Sequence, residues 1–245
     1  MAEHRHGAGE GLDEMVQDGG PRGVEIPRVV VVASGLVVGQ TMALALEAQD
    51  FEVRSYDYPR SRPELLETRR RAAEFGAEIG IVVAEINDVA QWRDVLAVVE
   101  TIPLQWLLVT GSTDAPRWGG LVAAGCAGVV PMTDGLDALV HAVRSVAEGG
   151  PGMSPAVRDQ VLTAWERLGP QRHELLRRIA ALSPREWQVL GMLNEGQSIT
   201  VIAQAGGVSE GTVRSQVRAI RQKLNVKSQL AAVAAYQEAM EFDRV

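Results

Sequence analysis

From residue 28 to residue 148 the apolar positions alternate between two kinds of stretch. Short, nearly unbroken apolar runs at 29–33, 79–84, 104–110 and Gly128–Pro131 have the length of strands buried on both faces, and 51–56 completes a set of five. The segments 37–48, 63–75, 89–99, 116–124 and 136–147 read as amphipathic helices. Five such strand–helix units predict an α/β domain over 27–149, a parallel sheet covered by helices on both faces. Pro151, a helix at 155–168, a Gly169-Pro170 break and a further helical stretch to Leu182 then make 150–180 a helical linker or hinge. Residues 1–26 hold glycine and acidic residues without an apolar core of signal-peptide type, and are expected to be a disordered tail.

The period changes after Leu182, and 181–245 reads as an all-α domain of four helices around a helix-turn-helix. Ser183, Pro184 and Glu186 form a capping box with proline at the first helical position. Trp187, Val189, Leu190 and Leu193 make the apolar stripe of that helix, which Gly196 ends. A short helix follows from Ile199 to about Ala205, with Ile202 and Ala203 facing inward; Gly206-Gly207 makes the turn and Val208 is expected to plug its corner. Ser209 caps a third helix in which Val213, Val217, Ile220 and Leu224 recur at helical spacing. Between Thr212 and Lys227 that segment also carries Arg214, Arg218, Arg221, Lys223 and Lys227, with no acidic residue among them. One side of the helix is therefore apolar and the other a row of cations, a face suited to a polyanion.

Charge changes the picture only once it is divided by region. The whole chain carries −7, but residues 182–228 hold six cations and three anions, while residues 1–181 carry −8. The acidic part repels nucleic acid and the basic face attracts it. A single cysteine, Cys126, in an apolar stretch allows no intramolecular disulfide and reads as a small buried hydrophobe. No apolar run approaches the length of a membrane span, so a cytoplasmic protein without a membrane partner is expected.

The text LSPREWQVLGMLNEGQSITVIAQAGGVSEGTVRSQVRAIRQKLNV, within roughly 178–240, resembles without a gap the DNA-binding domain of the LuxR/NarL/FixJ regulators. In that family the recognition helix enters the major groove through residues just after the Thr-Val pair, here Thr212-Val213. The resemblance thus implies base contacts by Arg214, Ser215 and Arg218. Spacing agrees for the two arginines, which lie one turn apart opposite Val213 and Val217. Ser209, Thr212, Gln216, Arg221, Lys223 and Lys227 are read as phosphate contacts, which hold register without carrying sequence information. The fourth helix, from Ser228 to about Met240, carries Leu230, Ala231, Val233, Ala234 and Tyr236, and in such domains the corresponding helix commonly forms the dimer contact.

Ahead of such a domain, a (βα)5 unit resembles the receiver of a response regulator, with doubly wound strand order 2-1-3-4-5. Receivers phosphorylate an aspartate after strand three, using Mg2+ held by an acidic pair after strand one, a hydroxyl after strand four and a lysine after strand five. Aligned on its strands, this chain has Ala33 and Ser34 for the acidic pair, Glu85 for the aspartate and Met132 for the lysine; Thr110 alone fits. Ala33 and Ser34 offer no charged oxygen to Mg2+. No lysine occurs anywhere before Lys223, so the missing ammonium is not a matter of alignment. Aspartate phosphorylation is therefore not expected, and Glu85 reads as a solvated carboxylate at a strand end.

Other candidate chemistry falls away. Ser34-Gly35-Leu36-Val37-Val38-Gly39-Gln40-Thr41 follows a strand like a phosphate-binding loop but has Ser for its first glycine and Gln for its lysine. His4, His6, His141 and His173 have no carboxylate or cysteine at ligand spacing, so no metal and no cofactor is expected. The reading is a non-enzymatic, sequence-specific transcriptional regulator: an orphan, atypical response regulator. It binds double-stranded promoter DNA as a homodimer, with RNA polymerase as a candidate partner and a small ligand or partner protein as candidate input. A conventional phosphorylated regulator and a protein-interaction adaptor are the alternatives.

Overall fold

The computed structural model describes residues 26–244, so the expected tail, with His4 and His6, lies outside the described residues apart from Ile26. β1 (Arg28–Ala33), β2 (Glu52–Asp57), β3 (Ile79–Val83), β4 (Gln105–Thr110) and β5 (Gly128–Pro131) form one parallel sheet in the order β2-β1-β3-β4-β5. This is the doubly wound order expected. Val31 sits in register between Ser55 and Ile81 at the heart of the sheet, and Val29 to Val32 are wholly buried. Such strands need apolar residues on both faces, which is why they read as unbroken runs.

Alternate residues of each strand feed two cores. Val29, Val31, Ile81 and Leu107 pack with Leu46 of α1 (Leu36–Glu47) and with Leu139 and Val143 of α5 (Gly135–Ala147). Val30, Val32, Val82 and Leu108 share the opposite core with Phe75 of α2 (Arg62–Phe75), Trp92 and Val95 of α3 (Val89–Thr101) and Leu121 of α4 (Ala115–Ala123). Side chains close the helix starts: Ser61 accepts from the Glu64 amide, Asp88 from Gln91 and Asp114 from Arg117. The observed elements depart from the expected spans by one or two residues at their ends, where capping rather than periodicity decides the boundary.

Residues 150–180 are largely helical, as α6 (Pro155–Glu166) and α7 (Gly169–Ala180). They are no loose tether. α6 lies directly along α4, so close that a Cβ at Gly119 would collide with the Val161 carbonyl. Trp165 of α6 fits between Trp92 and His173, with ring centroids at 5.8 and 4.3 Å. His173, isolated in sequence, stacks on Trp165 and hydrogen-bonds its carbonyl oxygen at 2.7 Å. α7 then meets α3 on one side and the C-terminal helices on the other, making one continuous apolar core. Among the described residues no helix is long and apolar enough to cross a membrane.

The C-terminal helices are α8 (Pro184–Asn194), α9 (Ile199–Gly206), α10 (Glu210–Leu224) and α11 (Gln229–Met240). The capping box at Ser183 is formed in both directions: the Glu186 amide donates to Ser183 Oγ at 3.2 Å and the Ser183 amide donates to Glu186 Oε2 at 2.7 Å. Between α9 and α10, Gly207 takes the left-handed conformation and the Val208 amide donates back to the Ala203 carbonyl. That backbone closure completes the turn without a side-chain plug. Val208, expected to fill the corner, is 37% exposed instead.

Candidate nucleic-acid interface

α10 is built to hold one face in and present the other. Val213, Val217, Ile220 and Leu224 are buried against the neighbouring helices, which fixes the rotation of the helix. Ser209 caps its start, accepting from the Thr212 amide at 3.1 Å, and Asn225 ends it in the left-handed conformation. Glu210 in the first turn and Arg221 and Lys223 in the last complement the helix dipole. On the opposite side Arg214, Ser215 and Arg218 are all exposed and point clear of the fold. Ser215 returns its hydroxyl to the Gly211 carbonyl at 3.0 Å, whereas no ion pair is formed by Arg218 among the described residues.

Of the remaining basic-face residues, Ser209 and Thr212 are exposed and share a hydrogen bond of 2.9 Å at the helix start. Gln216 is half-buried, with its side-chain oxygen enclosed. Arg218, Arg221 and Lys227 surround an open, polar recess at the other end of the helix, where Arg221 donates to the Lys227 carbonyl. Lys223 has a partner that its own helix did not announce: its ammonium lies 2.6 Å from Glu186, the buried acid of the capping box. A feature missed in sequence is Glu210. It pairs with Arg214 at 3.3 Å, and hydrogen bonds from Thr200 and Arg214 hold its carboxyl below the usual carboxylate range. The spacing of four residues between Glu210 and Arg214 was the available signal.

Comparison with known proteins bears on this face directly. Residues 180–235 match the family described as "Bacterial regulatory proteins, luxR family". The C-terminal domain is a luxR-family domain. The chain is 27% identical over 164 residues to the transcriptional regulatory protein DegU of Brevibacillus brevis, covering 62% of this chain and 69% of DegU. It is 30% identical over 135 residues to the nitrate/nitrite response regulator protein NarP of Escherichia coli K12, covering 55% of this chain and 60% of NarP. A solved structure of the RcsB response regulator of Salmonella typhimurium aligns over 86% of this chain and 98% of its own, at 17% identity and a TM-score of 0.44. The chain thus places a five-stranded parallel sheet ahead of its luxR domain and is similar to DegU and NarP.

At the strand ends of the receiver-like domain, the topology gathers the residues aligned with phosphorylation. Ser34, Glu85 and Met132 line one open cavity of about 510 Å3. Ala33 is buried in β1 and contributes no oxygen; Thr110 is fully buried, its hydroxyl accepting from the Ser112 amide at 3.1 Å. Glu85 is exposed, but one oxygen accepts from the Gly111 amide at 3.1 Å, so it is anchored rather than merely solvated. Arg60 lines the same cavity, a cation that strand alignment did not place beside Glu85. Met132, 47% exposed, stands where an ammonium would be needed.

The luxR domain is docked on the receiver-like domain through contacts that no local pattern announces. Arg93 of α3 is buried over the Trp187 ring of α8, 5.0 Å from its centroid, and pairs with Asp94 at 2.6 Å. Arg117 of α4 pairs with Asp114 and donates to the Phe242 carbonyl at 3.1 Å, with its guanidinium 4.7 Å from that ring. The face of α10 that carries Arg214, Ser215 and Arg218 is left uncovered by this docking. Cys126 is buried, its one thiol proton within reach of both the Trp106 and Gly128 carbonyls at 3.2 Å, and burial pushes its pKa up to about 11.

Proposed function

We propose that this protein is a sequence-specific DNA-binding transcriptional regulator whose receiver-like domain works without aspartate phosphorylation. The observation that carries the first half is the exposed Arg214, Ser215 and Arg218 face on a helix whose rotation is fixed by its buried stripe. Arginine donates two hydrogen bonds to guanine in the major groove, and each such pair is worth about 1–3 kcal/mol of discrimination. Ser209, Thr212, Gln216, Arg221 and Lys227 then hold the phosphates, with Arg218, Arg221 and Lys227 sharing one recess. The similarity to DegU, whose name is that of a transcriptional regulatory protein, supports the same reading. The protein acts as a binder, not an enzyme, in the cytoplasm, and engages promoter DNA as a homodimer.

The second half rests on the strand-end cavity. Phosphoryl transfer to a carboxylate needs Mg2+ held by acidic oxygens and a compact cation at the developing charge. Here Ala33 is apolar and buried, Ser34 is neutral and Met132 is a thioether. The arginine nearby, Arg60, has the charge of the missing lysine without its geometry. Input therefore comes from a small ligand or a partner protein.

Binding to promoter fragments selected from the protein's own genome tests the first half. R214A and R218A should each lose about tenfold or more in specific affinity, with a smaller loss on unrelated duplex. Unchanged sequence preference in both variants would refute the groove placement. Incubation with a small phosphodonor and Mg2+ tests the second half: mass and DNA affinity should stay constant. A stable gain of one phosphoryl group, abolished by E85A, would overturn it.

A further inference from the structure

Between the two domains lies a cavity of about 490 Å3 that the DNA-binding face does not use. One wall is the β2–α2 loop and α2, a second is α3, and the third is the end of α7 and the start of α8, with Lys223 of α10 at its edge. Three arginines of the first wall, Arg60, Arg62 and Arg69, are exposed, and none forms an ion pair among the described residues. Arg93 comes from the second wall with its Nη1 buried and without a hydrogen-bond partner. The hydroxyl of Tyr58, another lining residue, is a second buried group with no partner. Burial, reinforced by the Asp94 carboxylate, pushes the Tyr58 phenol up, so it stays a neutral donor.

The opposing acids are few. Asp94 is occupied by Arg93, leaving Glu100 as the other carboxylate in the lining. The starts of α2 and α8 both reach this cavity, at Ser61 and Ser183, adding the positive ends of two helix dipoles. The rest of the lining is apolar, including Leu65, Leu66, Val98 and Leu182. Cationic groups and unpartnered donors along an apolar slot of this volume fit a ligand of metabolite size.

We propose that this interdomain cleft binds an amphipathic organic anion, an apolar body carrying a carboxylate, sulfonate or phosphate. The acidic group meets the Arg60, Arg62 and Arg69 cluster, and the body lies against α3 and the α7–α8 junction. Because such a ligand touches both domains and the edge of α10, its occupancy sets how firmly the luxR domain is held. That regulatory consequence rests on the DNA-binding reading above; the binding itself does not.

The probe is 8-anilinonaphthalene-1-sulfonate, which has an apolar aromatic body and one sulfonate, titrated into the full chain and followed by fluorescence. A saturable single site is expected, weakened at least tenfold in the R60E/R69E variant, whose changes are at exposed positions outside the packed core. N-phenyl-1-naphthylamine, the same body without the sulfonate, should show no such dependence on the variant. Absence of saturable sulfonate binding, or equal affinity in wild type and variant, would overturn the proposal. DNA affinity measured in parallel without the probe separates a failure of the DNA reading from a failure of this one.

Discussion

Arg214 stands between two partners, the Glu210 carboxylate 3.3 Å away and the base edges proposed to lie beyond it. The intrachain pair is exposed on both sides, at 68% and 44%, so water and salt screen it and it yields readily. Glu210 nevertheless places a negative charge at the end of the helix nearest the proposed DNA contacts. Replacing it by glutamine removes that repulsion and frees Arg214. E210Q is therefore expected to bind unrelated duplex several-fold more tightly than the wild type, with a steeper salt dependence, in a fluorescence anisotropy titration. Equal or weaker binding would mean that Arg214 and Glu210 lie away from the DNA. Residue chemistry of this kind was partly legible in the sequence. The cation row was plain, but Lys223 looked like its neighbours until Glu186, 37 residues earlier in the chain, was found 2.6 Å from it.

Among the elements, those with a local cause were the ones that could be read from residue patterns. The buried runs of β1 and β3, the capping box of α8 and the 4-3-4 stripe of α10 each follow from neighbours within a few residues, and each lies where the pattern placed it. The strand-end cavity was legible for the same reason, since parallel strands bring their C-terminal ends together. The docking of α6 on α4 was not. It depends on Gly119 and Gly120 having no side chain where Val161 and Trp165 arrive from more than 40 residues further on, and small residues in a helix announce no partner. G119A tests this packing: its Cβ must push the α6 backbone away, an overpacking cost of about 1–3 kcal/mol. In a chain of this length that lowers the melting temperature by roughly 2–12 °C, measurable by calorimetry. An unchanged melting temperature would show that α6 is free to move off α4.

At the scale of the whole molecule, the proposed dimer needs an outward apolar contact, and α11 supplies a candidate. On α11, Ala232 and Ala239 are buried inward and the Tyr236 ring lies tilted against Trp187, centroids 4.7 Å apart, so part of the apolar content of this helix belongs to the domain's own core. Leu230 and Ala234, one turn apart, remain outward, and Leu230 is 78% exposed. A helix-turn-helix unit alone reads few base pairs, and pairing two units across half-sites about one helical turn apart multiplies the discrimination. In the proposed dimer, a contact between α11 of one copy and α11 of the other would bury Leu230 in a symmetric interface. Sedimentation of the complex with an isolated operator should therefore give two chains per duplex at saturation. L230E should reduce this to weak occupancy of half-sites while leaving the fold intact, because the side chain it replaces supports nothing within its own domain. A single wild-type chain bound at saturation would sink the dimer, and a two-chain complex indifferent to L230E would move the contact away from α11.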